Sequence, residues 1–174
     1  ASAAATPAGS DGVVVLPYFA GERTPIFDAD ARGVVAGLSL RHTRAHLFRA
    51  CYEGIAFGIR QIVEFLAEDA PLHRLVAVGG GTQGGLWTQI VSDVTGREQV
   101  VPAQTIGASY GDALLSAIGT GLVPPDTDWA RAGTIVAPNT ANRQIYDRLF
   151  TTYSELYPAT KAQVHALSAI QHGL

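Results

Sequence analysis

Apolar and polar positions follow two rhythms along this chain, and the rhythm assigns most of the elements. Short apolar runs of strand length occur at Val13–Leu16, Val34–Leu38, Leu75–Val78, from Gln99 towards Gln104, and at Thr134–Val136. Gly, Pro or Asp bounds most of them, as expected of short strands. Between the strands, apolar residues return every three or four positions. The longest such stretch, Thr43 to Glu68, carries Leu47, Cys51, Ile55, Ile59, Ile62 and Leu66 as one stripe predicted to face a core. Thr43 can cap its start, and Pro71 stands beyond its end. Gly54 and Gly58 each cost ~1 kcal/mol relative to Ala in a free helix, so their spacing predicts another backbone passing close by.

A second helix follows Gly85, with Leu86, Ile90, Val91 and Val94 at helical spacing. A third, over 105–119, is rich in small residues and offers Leu114, Leu115 and Ile118, as expected of a helix pressed closely on a neighbour. The last begins near Ala141 and runs through Ile145, Leu149, Tyr153 and Leu156, with Tyr146, Phe150 and Tyr157 alongside. That aromatic set reads as core. Pro158 permits only a kink or a fresh helix start.

Strands alternating with helices predict an α/β fold. Its centre is the stretch from Leu75 to Trp87, where a strand empties into Gly79, Gly80, Gly81, Gly84 and Gly85 before a helix begins. Glycines let a backbone come close to a ligand, and a helix N-terminus favours an anion. A nucleotide phosphate site is one reading; a turn that merely reverses the chain is the other. Gly79, Gly81 and Gly84 satisfy G-x-G-x-x-G, but no carboxylate ends the next strand, which weakens a dinucleotide site. A Walker loop is excluded because Gly85 and Leu86, not Lys and Ser or Thr, follow Gly84.

Composition narrows the classes. With 174 residues, 47% of them hydrophobic, and a net charge of −3, the chain is neither disordered nor basic enough for sequence-independent nucleic-acid binding. No apolar run approaches the ~20 residues of a membrane span. Cys51 is the single cysteine, so no disulfide framework or Cys-based metal site can be drawn from this chain, and a reducing cytoplasm is expected. Methionine is absent, which suggests a piece of a longer protein. Residues 1–12 are small and polar and are expected to be a loose segment ahead of a domain over 13–174.

Other candidate chemistry is weaker. Asp28-Ala29-Asp30-Ala31-Arg32-Gly33 opens like a calcium loop, but Arg32 and Ser39 occupy positions five and twelve, where oxygen ligands are required. His42 and His46 are a turn apart without a third zinc ligand. Glu22 and Arg23 read as a pair that fixes a loop or is solvated, and Asp112 as an exposed or paired carboxylate.

Taken together, the stretches resemble the C-terminal domain of the FGGY carbohydrate kinases. Gly33-Val34-Val35-Ala36-Gly37-Leu38, seven further residues, and His46-Leu47-Phe48-Arg49-Ala50-Cys51-Tyr52-Glu53 follow the family's second signature. Gly21-Glu22-Arg23-Thr24-Pro25 resembles a loop of the xylulokinases, and Gly79-Gly80-Gly81 with its helix resembles the adenosine-binding loop. The resemblance implies an actin-like, ribonuclease-H-like ATPase domain in which a mixed sheet is covered by helices. It implies ATP and Mg²⁺ as cofactors, a sugar or polyol substrate such as D-xylulose, and an N-terminal domain that is not part of this chain. Gly79, Gly80, Gly81 and Gly84 would border the nucleotide, while the catalytic base and metal ligands would lie outside these residues. The resemblance is compatible with a homodimer. A non-catalytic nucleotide-binding or assembly module of the same fold is the competing expectation.

Overall fold

A computed structural model describes residues 2–69, 71–104, 107–129 and 133–173. Strand β1 (Val14–Leu16) pairs antiparallel with β2 (Val34–Ala36), Val15 opposite Val35. All three residues of β1 are buried, because helix α1 (Arg44–Asp69) and helix α4 (Arg143–Gln171) both pack on it. A second ladder holds β3 (Leu75–Val76), β4 (Gln99–Val101) and β5 (Thr134–Val136) in that order. β3 runs parallel to β4 and β5 antiparallel, so this sheet is mixed, as expected. Helix α2 (Leu86–Thr95) packs on α1 and bridges towards β5 and α4. Helix α3 (Gly107–Gly119) has one buried residue, Ala117, with Leu115 exposed, so the expected close seating of its small-residue face is not found. The expected start of that helix, Thr105 and Ile106, lies outside the described residues.

The main core gathers Leu16, Tyr18, Phe57, Ile90, Val94, Tyr146 and Tyr153. The face that α1 turns inward differs from its predicted stripe. Arg49, Ala50, Glu53, Ala56, Phe57, Arg60 and Val63 are buried, whereas Ile55 and Leu66 of the stripe are exposed. Charged residues can occupy the inner face because each is paired, which offsets the cost of taking it out of water. Glu53, 1% exposed, accepts hydrogen bonds from Arg49 Nε at 2.8 Å, the Tyr146 hydroxyl at 2.9 Å, the Gly9 N–H at 2.9 Å and Ser10 Oγ at 2.7 Å. Arg60 bonds Asp147 at 2.6 Å and Glu64 at 2.7 Å, with its guanidinium 4.1 Å from the centre of the Phe150 ring.

The same network corrects the expectation for residues 1–12. Residues 2–12 are packed rather than loose: Ala3, Thr6 and Ser10 are buried, and the Ala3 carbonyl accepts from Arg49 at 3.4 Å. The physical reason is the Glu53 carboxylate, which needs donors and finds them at Gly9 and Ser10. Gly9 has φ +82°, and a Cβ there would lie 2.7 Å from Ile145 Cγ1.

At Gly54, a Cβ would stand 2.2 Å from the Val15 carbonyl oxygen, so the predicted close backbone is β1. At Gly58 the nearest atom is the Tyr153 hydroxyl at 3.5 Å, an ordinary contact. Helix α4 runs unbroken through Pro158, which lies on its exposed side. The loop at 28–32 holds its second half: Asp28 accepts from the Tyr157 hydroxyl and lies 2.7 Å from His165 Nε2, Ser168 Oγ donates to Asp30 at 3.0 Å, and Arg32 Nε donates to Gln171 at 2.8 Å. Asp28 is therefore a structural latch, and its hydrogen bond from Tyr157, assisted by His165, lowers its pKa to about 2.

Candidate functional site

The site is built where β3 stops. After Val76 the chain keeps one more ladder bond, Ala77 N–H to the Val100 carbonyl at 2.9 Å, then leaves the sheet at Gly79 with φ +93°. Residues Gly80–Gly84 form a short 3-10 turn, tied by Thr82 Oγ1 to the Gly79 carbonyl at 2.8 Å, and α2 starts directly after Gly85. The positive φ of Gly79 and Gly85 makes glycine the favoured residue at both ends of the turn. The turn therefore presents backbone rather than side chains.

α2 is anchored so that this turn cannot drift. Asp93, nearly fully buried, accepts from Gln89 Nε2 at 2.7 Å, the Asn139 N–H at 2.7 Å and Asn142 Nδ2 at 2.8 Å. Buried Gln99 of β4 donates to the Thr88 carbonyl at 2.7 Å and to Ser92 Oγ at 2.8 Å. These bonds pin the helix to the sheet and to the start of α4.

In front of the turn lies an open slot of about 420 Å³. Gly80, Gly81 and Gly84 line one side of it, with Leu86 and Trp87 from the start of α2. Phe48 and Tyr52, a turn apart on α1, line another side with Ala3 and Ala4. The two α1 rings meet edge to face, 4.9 Å between centroids. Three of the four sequence-predicted glycines thus share one cavity, whereas Gly79 sets the exit angle of the strand and does not line it. No atom lies within 4 Å of a Cβ built at Gly80 or Gly84, whereas one at Gly81 would meet the Trp87 ring at 2.2 Å. Gly80 and Gly84 are open to a ligand, and Gly81 is closed by its own neighbour.

Sequence reasoning missed Phe48, Tyr52, Trp87 and the Ala3–Ala4 wall. The available signal was a pair of aromatics at i and i+4 lying off the apolar stripe of α1.

Gly21, Glu22 and Arg23 of the Gly21–Pro25 loop line a separate cavity of about 380 Å³ with Phe27 and Asp28. Here Glu22 accepts from the Thr24 N–H at 3.0 Å and its backbone exchanges two bonds with Asp28, so it fixes the loop. His42 and His46 lie beside Asp11, with His46 Nε2 3.4 Å from its carboxylate, at the start of α1. Burial raises the Cys51 thiol pKa, which suppresses its nucleophilic form. Among the described residues no group of three or more His, Cys, Asp or Glu side chains is placed to hold a metal. The donor set for Mg²⁺ is therefore not met by these described residues. No helix among the described residues is long and apolar enough to cross a membrane.

Comparison with known proteins agrees with this architecture. The profile of the FGGY family of carbohydrate kinases, C-terminal domain, matches residues 1–120. The xylulose kinase of Bacillus subtilis (strain 168) is 32% identical over 172 residues, covering 96% of this chain and 34% of that protein. The gluconokinase of the same organism is 36% identical over 117 residues, covering 66% of this chain and 23% of that protein. Among solved structures, xylulose kinase from Rhodospirillum rubrum superposes with a TM-score of 0.78 at 38% identity, covering 94% of this chain and 34% of the other. The chain spans about a third of the length of these full relatives. An actin-like α/β scaffold is thus shared with these kinases, and the chain belongs to the FGGY family of carbohydrate kinases through that family's C-terminal domain.

Proposed function

We propose that this chain is the nucleotide-binding half of an ATP-dependent carbohydrate kinase that converts D-xylulose to D-xylulose 5-phosphate. The observation that carries the reading is the slot before the glycine turn, where Gly80 and Gly84 leave room for a ligand against backbone. Its volume, about 420 Å³, falls in the ~300–1,000 Å³ range of small-molecule sites. In the reaction, a sugar hydroxyl oxygen attacks the γ-phosphorus in line. The bond from that phosphorus to the bridging oxygen breaks, ADP leaves, and the hydroxyl proton passes to a base outside this chain. Catalysis of this kind rests on positioning and charge stabilisation. The part taken by these residues is to seat the nucleoside, fix its direction along the pinned α2 start, and keep water from its apolar face.

D-xylulose is favoured by the Gly21–Pro25 loop and by the xylulose kinase match along 96% of the chain. Gluconate is the second reading, supported by the 36% identity with a gluconokinase. The test is ADP release by the full-length protein with Mg-ATP and either sugar. D-xylulose is expected to support turnover, and turnover with gluconate alone would reassign the substrate. Absence of any sugar-dependent ADP release would favour the non-catalytic module. Gly80→Val, whose Cβ has no atom of this chain within 4 Å, should raise the KM for ATP at least tenfold and leave that for sugar unchanged. An unaltered ATP constant in the folded variant removes the turn from the site.

A further inference from the structure

Resting on the kinase reading above, we infer that the cavity at the Gly21–Pro25 loop is a sugar subsite, in which Arg23 and Glu22 hydrogen-bond hydroxyl groups of an uncharged substrate and the Phe27 ring covers its C–H face. Phe27 marks the place. It is 83% exposed and lines the cavity, yet its backbone sits at φ +48°, a left-handed conformation that bulky residues seldom adopt. Strain of that kind persists only where the surroundings over-determine it, and it gathers at ligand sites. Here the surroundings are explicit. Glu22 and Asp28 exchange backbone bonds of 2.8 and 2.7 Å, the Phe27 N–H donates to the Arg23 carbonyl at 3.2 Å, and a Cβ at Gly21 would lie 2.7 Å from the Ala29 carbonyl oxygen. Asp28 is tied in turn to the second half of α4 through Tyr157 and His165. The fold thus holds out, on a fixed loop, an aromatic ring that its own core does not use.

The groups beside the ring suit a polyol. The Arg23 guanidinium makes no hydrogen bond or ion pair with another described residue, so its fork of N–H donors is available at the cavity. Glu22 holds the Thr24 N–H through Oε1 at 3.0 Å, and its second oxygen remains as an acceptor. A sugar hydroxyl both donates and accepts and can therefore bridge the two side chains, whereas a phosphate, an acceptor only, would face the Glu22 carboxylate. Asp28 adds little free charge, because the Tyr157 hydroxyl, His165 and Lys161 gather around its carboxylate. The volume of about 380 Å³ and the combination of an aromatic wall with a few convergent polar groups match the make-up of small-molecule sites.

The experiment measures KM for D-xylulose and for Mg-ATP in the full-length protein. Arg23→Gln should raise the sugar constant at least tenfold and leave the ATP constant within twofold of native. Phe27→Asn removes the ring, and Asn takes the left-handed backbone more readily than Phe, so it should raise the sugar constant at least fivefold with a Tm no lower than native. Phe27→Tyr keeps a ring and should lie closer to the native constant than Phe27→Asn. An unchanged sugar constant in either folded variant, or a rise in the ATP constant instead, overturns the inference and leaves the kinase reading intact. A Tm fall accompanying the loss in Phe27→Asn assigns the ring to the fold and overturns it as well. Absence of turnover by the native protein with D-xylulose fails the substrate reading separately. Calorimetric titration with D-xylulose then decides the cavity: affinity lowered at least tenfold by Arg23→Gln keeps the assignment, and equal affinity or no binding removes it.

Discussion

Replacing Glu53 by Gln removes one charge from the most buried ionic group among the described residues while keeping its shape. In the native protein Oε1 receives the Gly9 N–H, Arg49 Nε and the Tyr146 hydroxyl, and Oε2 receives Ser10 Oγ. A glutamine can keep its carbonyl oxygen at the Oε1 position and retain all three of those donors. Its amide nitrogen then donates to Ser10 Oγ, whose hydroxyl turns to accept. Four bonds to this side chain are thus kept, the buried Ser10 O–H gives up its acceptor, and the main loss is the counter-charge of Arg49, itself only 6% exposed. Stranding one member of a buried pair costs about 3–5 kcal/mol. For a domain of this size each kilocalorie moves Tm by about 2–4 °C, so the expected drop lies between about 6 and 20 °C. Urea denaturation of the 174-residue chain, followed by tryptophan fluorescence, reads the same quantity. The double variant Glu53→Gln with Arg49→Met removes both charges and should recover at least half of the loss. A single-variant loss under about 1 kcal/mol, or a double variant no better than the single one, refutes the claim that charge pairing carries this network.

Three other perturbations have definite expected outcomes. Asp28 has a folded pKa of about 2, below the ordinary carboxylate value, so its contribution is fully present above about pH 4 and is lost as pH falls towards 2; urea midpoints measured across that window should fall more steeply for the native chain than for Asp28→Asn, and parallel curves would show that the Tyr157 contact does not favour the carboxylate. Gly54→Ala should destabilise by about 1–3 kcal/mol in urea titration despite the better helix propensity of Ala, because its Cβ meets the Val15 carbonyl; a stabilised variant would mean that β1 does not press on α1. Calorimetry of the isolated chain with Mg-ATP should give a Kd weaker than about 1 mM, equivalent to less than about 4 kcal/mol of binding free energy, since these residues supply no phosphate-binding side chain at the slot; micromolar affinity would place a complete site within them.

Hydrophobic spacing located the helices and the strand, glycine turn and helix unit, because those features are local and repeat at a fixed period. It located the inner face of α1 only in part, since Leu47, Cys51 and Ile59 pack against the core while the most buried positions lie to one side of the stripe. Ile55 and Leu66 have the right spacing and are exposed, while Arg49, Glu53 and Arg60 are charged and buried. Beyond the i,i+4 pairs Arg49–Glu53 and Arg60–Glu64, their partners, Tyr146, Asp147, the Gly9 N–H and the Ser10 hydroxyl, are 43 or more residues away in sequence, beyond any local pattern. The continuous α4 has the same origin, since Pro158 breaks only intrahelical bonding while Asp28, Asp30 and Arg32 hold the far half in place. Of the slot, the glycines were legible because their composition is unusual. Its aromatic and alanine walls were not, because Phe48, Tyr52, Trp87 and Ala3 become neighbours only when three distant segments converge.

That convergence bears on how the protein reaches its working form. The slot walls come from residues 3–4, 48–52 and 80–87, and the first of these is tied to α1 by the Arg49 bond to the Ala3 carbonyl and, a few residues on, by the Gly9 and Ser10 bonds to Glu53, all spanning more than forty positions of chain. Closing such loops carries an entropic cost before any contact is gained, and it slows folding relative to local helix formation. Helices α1 and α2 can therefore dock on one another first, leaving the glycine turn formed but one side of the slot unwalled. That order makes the Glu53 carboxylate the clasp that closes the slot, and completion of the slot is expected to lag behind helical signal during refolding.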